Sequence, residues 1–303
     1  MTKSQRTIKH SVQCEGIGLH TGKAVTLTLK PALANAGVTF VRTDLNNAAI
    51  RAIGANVSAT CSATTLTHNN ASVRTVEHLL AALAGLHIDN VVVEIDADEV
   101  PIMDGSARPF VKLIADAGIQ TQDELRPALK VIKPIFVRDG NKQLAIWPSE
   151  TPGISCFIDF NHPLLKEQSL QYQPTEETFL REVSDARTFG FVRDVTTLQA
   201  TGLALGASMD NTVALGEDSV LNKDGLRYRD EFVRHKILDL IGDLSLVGMP
   251  IIGHVVAHKS GHGLNAKMVN KLLNSPQHWI LLGIAQDDRA WHQNVQYQQA
   301  ALV

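Results

Sequence analysis

Residues 232–244 are predicted to form a helix with two chemically different faces. At about 100° per residue, one face collects the apolar side chains of Val233, Ile237, Leu240, Ile241 and Leu244. On the other face, His235, Asp239 and Asp243 follow one another at intervals of four residues. His235 and Asp239 can therefore direct a nitrogen and an oxygen toward one point, as two ligands of a catalytic zinc ion do. The alternative is a solvated helix face with a weak His–Asp pair.

A second predicted helix, residues 75–85, carries an acid next to a histidine. Thr75 is a plausible N-cap, the Ala and Leu residues that follow favour helix, and Gly85 is placed to end it. Glu77 and His78 lie in its first turn, where His78 could be a third metal ligand and Glu77 a general base. An ordinary surface helix start is the alternative.

A third histidine, His262, stands between Gly261 and Gly263 in a segment that reads as a glycine-rich loop. Such a loop lets the backbone and the imidazole approach a ligand closely. We expect a histidine that donates a proton, held in its charged form by Asp243. A simple glycine-rich turn is the alternative.

Bulk composition sets the class of protein. With 303 residues and 44% hydrophobic content, the chain has room for two globular domains. A net charge of -3 without a basic tract argues against a nucleic-acid partner. No apolar run is long enough to span a bilayer, so we expect a soluble protein without stable membrane insertion. Cys14, Cys61 and Cys156 lack Cys-x-x-Cys spacing and are expected to be reduced, as in the cytoplasm.

The order of predicted elements indicates an α+β fold in two parts. Strands are predicted at residues 24–29, 38–42, 90–96, 129–137, 143–147, 154–160 and 251–257, and helices at 75–85, 107–117 and 230–247. Both halves run from strands to a helix, a strand and another helix, although no residue-level repeat is visible. We place the boundary at 123–127, giving domains 1–125 and 126–303. The candidate site residues then meet in a cleft between the domains.

Several of these segments together resemble one known family. The resemblance rests on residues 18–22 (Gly-Leu-His-Thr-Gly), 75–79 (Thr-Val-Glu-His-Leu), 101–106 (Pro-Ile-Met-Asp-Gly-Ser), 184–191 (Ser-Asp-Ala-Arg-Thr-Phe-Gly-Phe), 220–222 (Val-Leu-Asn), 235–239 (His-Lys-Ile-Leu-Asp) and 260–262 (Ser-Gly-His). In order and spacing they resemble the UDP-3-O-acyl-N-acetylglucosamine deacetylases of lipid A synthesis, over nearly the whole chain. The fold implied is two similar two-layer α/β sandwiches packed together, with the active site at their junction.

The resemblance implies a zinc amidase that removes the N-acetyl group and releases acetate. His78, His235 and Asp239 would then bind one Zn²⁺, with Fe²⁺ able to occupy the same ligands in the cell. Glu77 would act as the general base. His262, paired with Asp243, would stabilise the intermediate and protonate the departing amine. Thr188 would donate its hydroxyl to the oxyanion.

The resemblance also implies substrate contacts. Lys236 and Lys259 match lysines that face the nucleotide-sugar, while Lys142 and Phe160 match positions at the uridine diphosphate end. Residues 191–215 resemble a βαβ insert that forms an acyl tunnel, with Phe191, Leu203 and Ala207 among its residues. The implied partner is the small-molecule substrate, and the implied state is a monomer.

Two rival functions stay open at this point. One is a zinc hydrolase of another amide or of a cyclic C–N bond, which would leave the 191–208 segment without a purpose. The other is a non-catalytic nucleotide-sugar binder or a protein with a structural metal. A structural zinc normally has four protein ligands, so a fourth side chain at the metal would favour that alternative.

Overall fold

A computed structural model describes residues 4–283, which form a mixed α+β fold. The first ten strands are β1 (Ser4–Ile8), β2 (Val12–Ile17), β3 (Ala24–Pro31), β4 (Val38–Arg42), β5 (Ala48–Arg51), β6 (Val57–Ala59), β7 (Thr65–His68), β8 (Ala71–Arg74), β9 (Val91–Ile95) and β10 (Ile119–Leu125). Two helices accompany them, α1 (Glu77–Gly85) and α2 (Arg108–Ala117). The largest sheet of this half has the strand order β2-β3-β9-β4-β5, and β6-β7-β8 and β1-β10 form smaller sheets.

The second half adds ten strands and four helices. The strands are β11 (Ala128–Val131), β12 (Ile135–Asp139), β13 (Lys142–Trp147), β14 (Gly153–Ile158), β15 (Gln168–Tyr172), β16 (Phe189–Phe191), β17 (Val213–Leu215), β18 (Ile251–Ile252), β19 (His254–His258) and β20 (Trp279–Leu282). The helices are α3 (Glu176–Thr178), α4 (Val192–Ala200), α5 (Glu231–Leu244) and α6 (His262–Leu273). The largest sheet has the order β12-β13-β19-β14-β15, with β18-β11-β20 and β16-β17 beside it.

The two five-stranded sheets follow the same plan. In each, a late strand is inserted between the two early hairpins, β9 in the first sheet and β19 in the second. Strand β9 runs parallel to β4, and β19 runs parallel to β14, while every other pair of neighbouring strands in both sheets is antiparallel. Side chains along a strand point alternately to its two faces, and the inward-pointing apolar ones contribute to the core. In β3, Val25, Leu27 and Leu29 are buried while their neighbours are more exposed.

Helices α1 and α5 pack against each other and carry the candidate site. Helix α1 is apolar on nearly every side, with residues 77–83 all buried, which is typical of a helix enclosed by the rest of the protein. Gly242 makes the close approach possible, because a Cβ atom at this position would lie 2.0 Å from the backbone oxygen of Glu77. The backbones of the two helices therefore touch at the residue that precedes His78.

Several predicted elements are confirmed. The strand at 38–42 is β4, and the helix predicted at 230–247 is α5 followed by a 3-10 turn, Ser245–Val247. Helix α2 ends before Gly118, whose φ of 69° is a conformation that glycine adopts without strain. No helix within residues 4–283 has the length and apolar character needed to cross a bilayer.

Three local predictions are wrong, for physical reasons. Thr75 does not cap α1: it has a φ of 56°, its hydroxyl donates to the buried Glu99 carboxylate, and the helix begins at Glu77. The strand predicted at 129–137 is split into β11 and β12 around Pro134, which has no N–H for a ladder. His262 is not in a loop but opens α6, because Leu264, Met268, Val269 and Leu272 give the segment a buried helical face.

Replacing Gly242 by alanine should separate α1 from α5 locally. The added methyl has no room against the backbone of Glu77, so we expect a loss of about 1–3 kcal/mol in the free energy of unfolding. Urea denaturation measures it. Gly263→Ala is the matched control, because it is also helical but its new Cβ would meet only Thr60 Oγ1, at 3.4 Å. Equal stability of the Gly242 and Gly263 variants would contradict the close approach.

Candidate metal centre

Three side chains from the two halves converge on one buried point. His78 lies in the first turn of α1, and His235 and Asp239 lie one turn apart on α5. The Asp239 Oδ1 atom is 3.5 Å from His78 Nε2 and 3.3 Å from His235 Nε2. Zinc–ligand bonds of about 2.0–2.2 Å in a tetrahedron put neighbouring ligand atoms roughly 3.3–3.6 Å apart. The predicted ligands therefore have the spacing of a metal site, and the solvated helix face is excluded because all three are buried.

The hydrogen bonds around the cluster leave the metal-facing atoms free. Asp239 Oδ2 accepts a hydrogen bond of 2.5 Å from Lys236, whereas its buried Oδ1 has no hydrogen-bond partner among the described residues. His235 Nδ1 lies 3.1 Å from the carbonyl oxygen of Ala186, an acceptor, so Nδ1 carries the proton and Nε2 presents a lone pair. A buried carboxylate oxygen without a donor is unfavourable unless a cation binds it. The two nitrogens and one oxygen therefore fit a divalent cation such as Zn²⁺.

The protonation states agree with metal binding. Burial lowers the pKa of His235 to about 3, so its imidazole is neutral near pH 7 and the contact with Asp239 is not an ion pair. Burial alone would raise the pKa of Asp239, but the charged Lys236 in contact with it, with the charged His262 further away, holds that pKa well below its usual range. A neutral imidazole and a carboxylate are the forms that bind a metal ion.

Glu77, the predicted base, lies beside the cluster and has one restrained oxygen. Its Oε2 accepts the backbone N–H of Thr64 at 3.1 Å, while Oε1 lies 3.8 Å from His262 Nε2. Burial raises the pKa of the Glu77 carboxyl above its usual range. A carboxylate whose pKa is raised toward neutrality takes up a proton more readily, as a general base must.

His262 is held in its charged form. Its Nδ1 donates to Asp243 Oδ2 at 2.9 Å, as predicted. Burial and a position at the positive end of α6 both disfavour a charged imidazole. The charges of Asp243 and Glu77 outweigh burial and raise the pKa of His262 to about 9. At pH 7 this histidine therefore has a proton to donate.

Thr188 directly precedes β16, the strand that leads into the 191–215 segment. Its backbone N–H donates to Gly105 at 2.8 Å, its carbonyl accepts from Val213 at 2.8 Å, and its side chain is half-buried. The preceding Arg187 donates to the fully buried Glu231, at the start of α5, with an Nε–Oε1 distance of 2.8 Å. This ion pair fixes the loop that supplies the Ala186 carbonyl to His235.

The predicted substrate lysines fall in three different environments. Lys236 contacts the candidate metal ligand Asp239 directly. Lys259 forms an ion pair of 2.7 Å with Asp159, and Lys142 is exposed at the first residue of β13. Of the three, Lys236 is the one that the structure brings to the cluster.

The 191–215 segment has the predicted βαβ geometry. Strands β16 and β17 pair in parallel, and α4 lies between them in sequence. Phe160 and Phe191 meet with ring centroids 6.3 Å apart, while Leu203 and Ala207 are half-buried. The segment also reaches the first half, because the Ala204 N–H donates to His20 Nδ1 at 3.3 Å.

Two residues of the site were missed by the sequence analysis. Asn265 donates to Asp243 Oδ2 at 2.8 Å, and the Thr64 hydroxyl donates to Asp243 Oδ1 at 2.5 Å. Once a helix is recognised after Gly261, the spacing of three residues between His262 and Asn265 could have indicated a shared partner. No local pattern marks Thr64.

Comparison with known proteins identifies one family over most of the chain. The family described as "LpxC: UDP-3-O-acyl N-acetylglycosamine deacetylase" matches residues 5–274. A UDP-3-O-acyl-N-acetylglucosamine deacetylase of Syntrophus aciditrophicus is 46% identical, covering 96% of this chain and 92% of the relative. One of Myxococcus xanthus is 51% identical, covering 90% and 87%, and one of Geobacter sp. strain M21 is 50% identical, covering 92% of both. The chain therefore belongs to the UDP-3-O-acyl N-acetylglycosamine deacetylase family.

Proposed function

We propose that this protein hydrolyses the acetamide of UDP-3-O-acyl-N-acetylglucosamine in lipid A synthesis. Water is consumed, the C–N bond breaks, and the products are acetate and UDP-3-O-acyl-glucosamine. Family membership supports the substrate, since relatives that match along most of their length bear this activity in their names. The observation that carries the proposal is the buried His78–His235–Asp239 cluster, with a base and a charged histidine beside it.

We assign the metal to Zn²⁺, held by His78 Nε2, His235 Nε2 and Asp239 Oδ1, with Fe²⁺ as an alternative occupant of the same ligands. When bound, such an ion acts as a Lewis acid, which polarises a carbonyl and makes a water molecule more acidic. Asp239 Oδ1 accepts no hydrogen bond from the described residues, and the imidazole of His235 is neutral; both support the assignment. Lys236 holds the other oxygen of Asp239 and thereby fixes which oxygen faces the metal.

Glu77 and His262 divide the proton transfers between them. Glu77 takes the proton from the attacking water, because its Oε1 lacks the backbone bond that holds Oε2. His262, charged through its contact with Asp243, stabilises the negative charge of the intermediate and gives its Nε2 proton to the departing amine. An uncharged amine is a far better leaving group than an amide anion, so the proton must reach nitrogen as the C–N bond breaks.

The remaining roles concern substrate position. We assign Thr188 as the hydroxyl that donates to the oxyanion, Lys236 and Lys259 to the nucleotide-sugar, and Lys142 and Phe160 to the uridine diphosphate end. The βαβ segment, with Phe191, Leu203 and Ala207, is assigned to the acyl chain. Incomplete burial supports this last assignment: α4 has no buried residue, and Leu205 and Met209 are about half exposed.

We also propose two sandwich domains, 1–125 and 126–303, with the active site at their junction, acting as a cytoplasmic monomer. The equivalent strand orders of the two larger sheets support the division. Strand β10 ends at Leu125 and pairs with β1, whereas β11 begins at Ala128 and pairs with β18 and β20. Cys14, Cys61 and Cys156 are free thiols, which is the usual state in a reducing compartment.

Metal analysis combined with acetate release tests the proposed function. We expect about one zinc ion per chain, loss of deacetylation on chelation and recovery with zinc.

Asp239→Asn should lose most of the metal and the activity, because it removes the charge of a ligand. Glu77→Gln keeps the bond from Thr64 and should retain the metal while kcat falls roughly 10²–10⁴-fold. Full zinc content in the Asp239 variant, or a near-normal rate in the Glu77 variant, would remove that residue from its role.

The pH dependence of kcat/KM should report His262. Because its pKa is raised from 6.5 to about 9, the proton is retained up to that pH, and kcat/KM should fall as the pH rises through about 9. Asp243→Asn removes the raising charge, so the fall should move to lower pH. His258→Gln is the control, since His258 is exposed on β19 and should leave the profile unchanged. An unmoved alkaline limb in the Asp243 variant would argue against the pair.

Acyl specificity can be tested with two substrates. If the βαβ segment holds the acyl chain, UDP-N-acetylglucosamine without the chain should be deacetylated with a lower kcat/KM than the acylated substrate. Leu205→Ser on the exposed part of the segment should reduce that preference. The control Leu33→Ser, on a residue that is 85% exposed in the first half, should not. Equal rates on both substrates would refute a role for the segment in acyl binding.

A further inference from the structure

Thr64 is a buried polar residue that contacts both the proposed general base, Glu77, and the proposed proton donor, His262. It is 1% exposed and directly precedes β7 in the first half of the chain. Its backbone and side chain together reach Glu77, Asp243 and His262. The roles assigned above use its backbone N–H but not its hydroxyl.

The Thr64 hydroxyl restricts the Asp243–His262 pair. Its proton goes to Asp243 Oδ1, at 2.5 Å, so its oxygen presents a lone pair to His262 Nδ1, at 3.3 Å. The Nδ1 proton of His262 therefore lies between two acceptors, Asp243 Oδ2 and Thr64 Oγ1. This arrangement fixes the plane of the imidazole and keeps Nε2 on the side of Glu77, 3.8 Å from Oε1.

The backbone of the same residue restricts Glu77. The Thr64 N–H donates to Oε2 at 3.1 Å and leaves Oε1 without that restraint. Threonine suits the position because its branched Cβ limits χ1, so the hydroxyl direction follows from the backbone position. One residue thus orients an oxygen of the base and the ring of the acid.

We propose that Thr64 is a positioning residue that sets the relative orientation of Glu77 and the Asp243–His262 pair. The inference rests on the proposed function for its kinetic consequences, while the contacts belong to the protein itself. Since the N–H bond to Glu77 survives any substitution other than proline, a side-chain change affects the Asp243–His262 pair alone. The hydroxyl is therefore needed for turnover rather than for substrate binding or for the metal.

The first test compares Thr64→Val with Thr64→Ser. The valine variant keeps the shape but loses the hydroxyl, so kcat should fall about 10- to 100-fold, the effect of removing a donor to a charged group. KM and zinc content should stay unchanged, and Thr64→Ser should restore most of the rate. Thr65→Val is the matched control, because its half-buried side chain lies outside the cluster. Thr64→Ala replaces the valine variant if that protein does not fold.

A double-mutant cycle separates positioning from a structural role. In a His262→Ala background there is no ring left to orient, so Thr64→Val should cause no further loss of kcat. Equal losses in the presence and absence of His262 would overturn the proposal, as would an unchanged kcat in the single variant.

A second measurement does not depend on activity. In the ¹H–¹⁵N spectrum of the folded protein, the hydrogen-bonded Nδ1 proton of His262 should be sharp in the wild type and in Thr64→Ser, and broadened by exchange in Thr64→Val. Absence of acetate release by the wild type would refute the proposed function. The signal of the His262 ring proton would still test whether Thr64 positions the imidazole. An identical signal in all three proteins would refute the positioning role.

Discussion

The contact between α1 and α5 is the constraint on which the site depends. His78 and Glu77 come from one helix and His235, Asp239 and Asp243 from the other, so the cluster exists only while the two backbones stay close. Gly242 permits that approach at the residue before His78. Apolar residues such as Leu79 and Leu240 are fully buried in the core around the helix pair. The hydrophobic core thereby holds polar side chains in a place where they would not gather by themselves.

Burial of so many charged groups is tolerable because each has a partner of opposite charge or a donor. Asp239 is matched by Lys236, and Asp243 accepts from His262, Asn265 and Thr64. The oxygen left over is Asp239 Oδ1, which faces two imidazole nitrogens. A divalent cation would satisfy all three atoms at once, so the desolvation that makes an unpaired buried carboxylate oxygen unfavourable strengthens metal binding.

The spacing of residues in the sequence predicted those features of the site that depend on the geometry of a single helix. His235 and Asp239 are separated by four residues, and Glu77 and His78 are adjacent. These intervals gave their relative positions as the structure has them, because a helix fixes such relations by itself. The Thr64 contact joins residues 179 positions apart, and the Ala186 carbonyl reaches His235 across 49. Those contacts depend on how the loops fold over the helices. Thr75 was mistaken for a cap for a related reason, since the buried Glu99 that draws its hydroxyl away lies 24 residues later.

The two halves share the plan of their larger sheets and differ in what is added to them. The first half adds the small β6-β7-β8 sheet, and the loop before β7 carries Thr64 to Asp243 of the second half. The second half adds the βαβ segment, and its Ala204 reaches back to His20 of the first. Each addition therefore forms a hydrogen bond between the two halves that supply the candidate metal ligands. A repeated sheet plan does not by itself join the two halves, whereas these reciprocal contacts tie the Asp243–His262 pair and the βαβ segment to the first half.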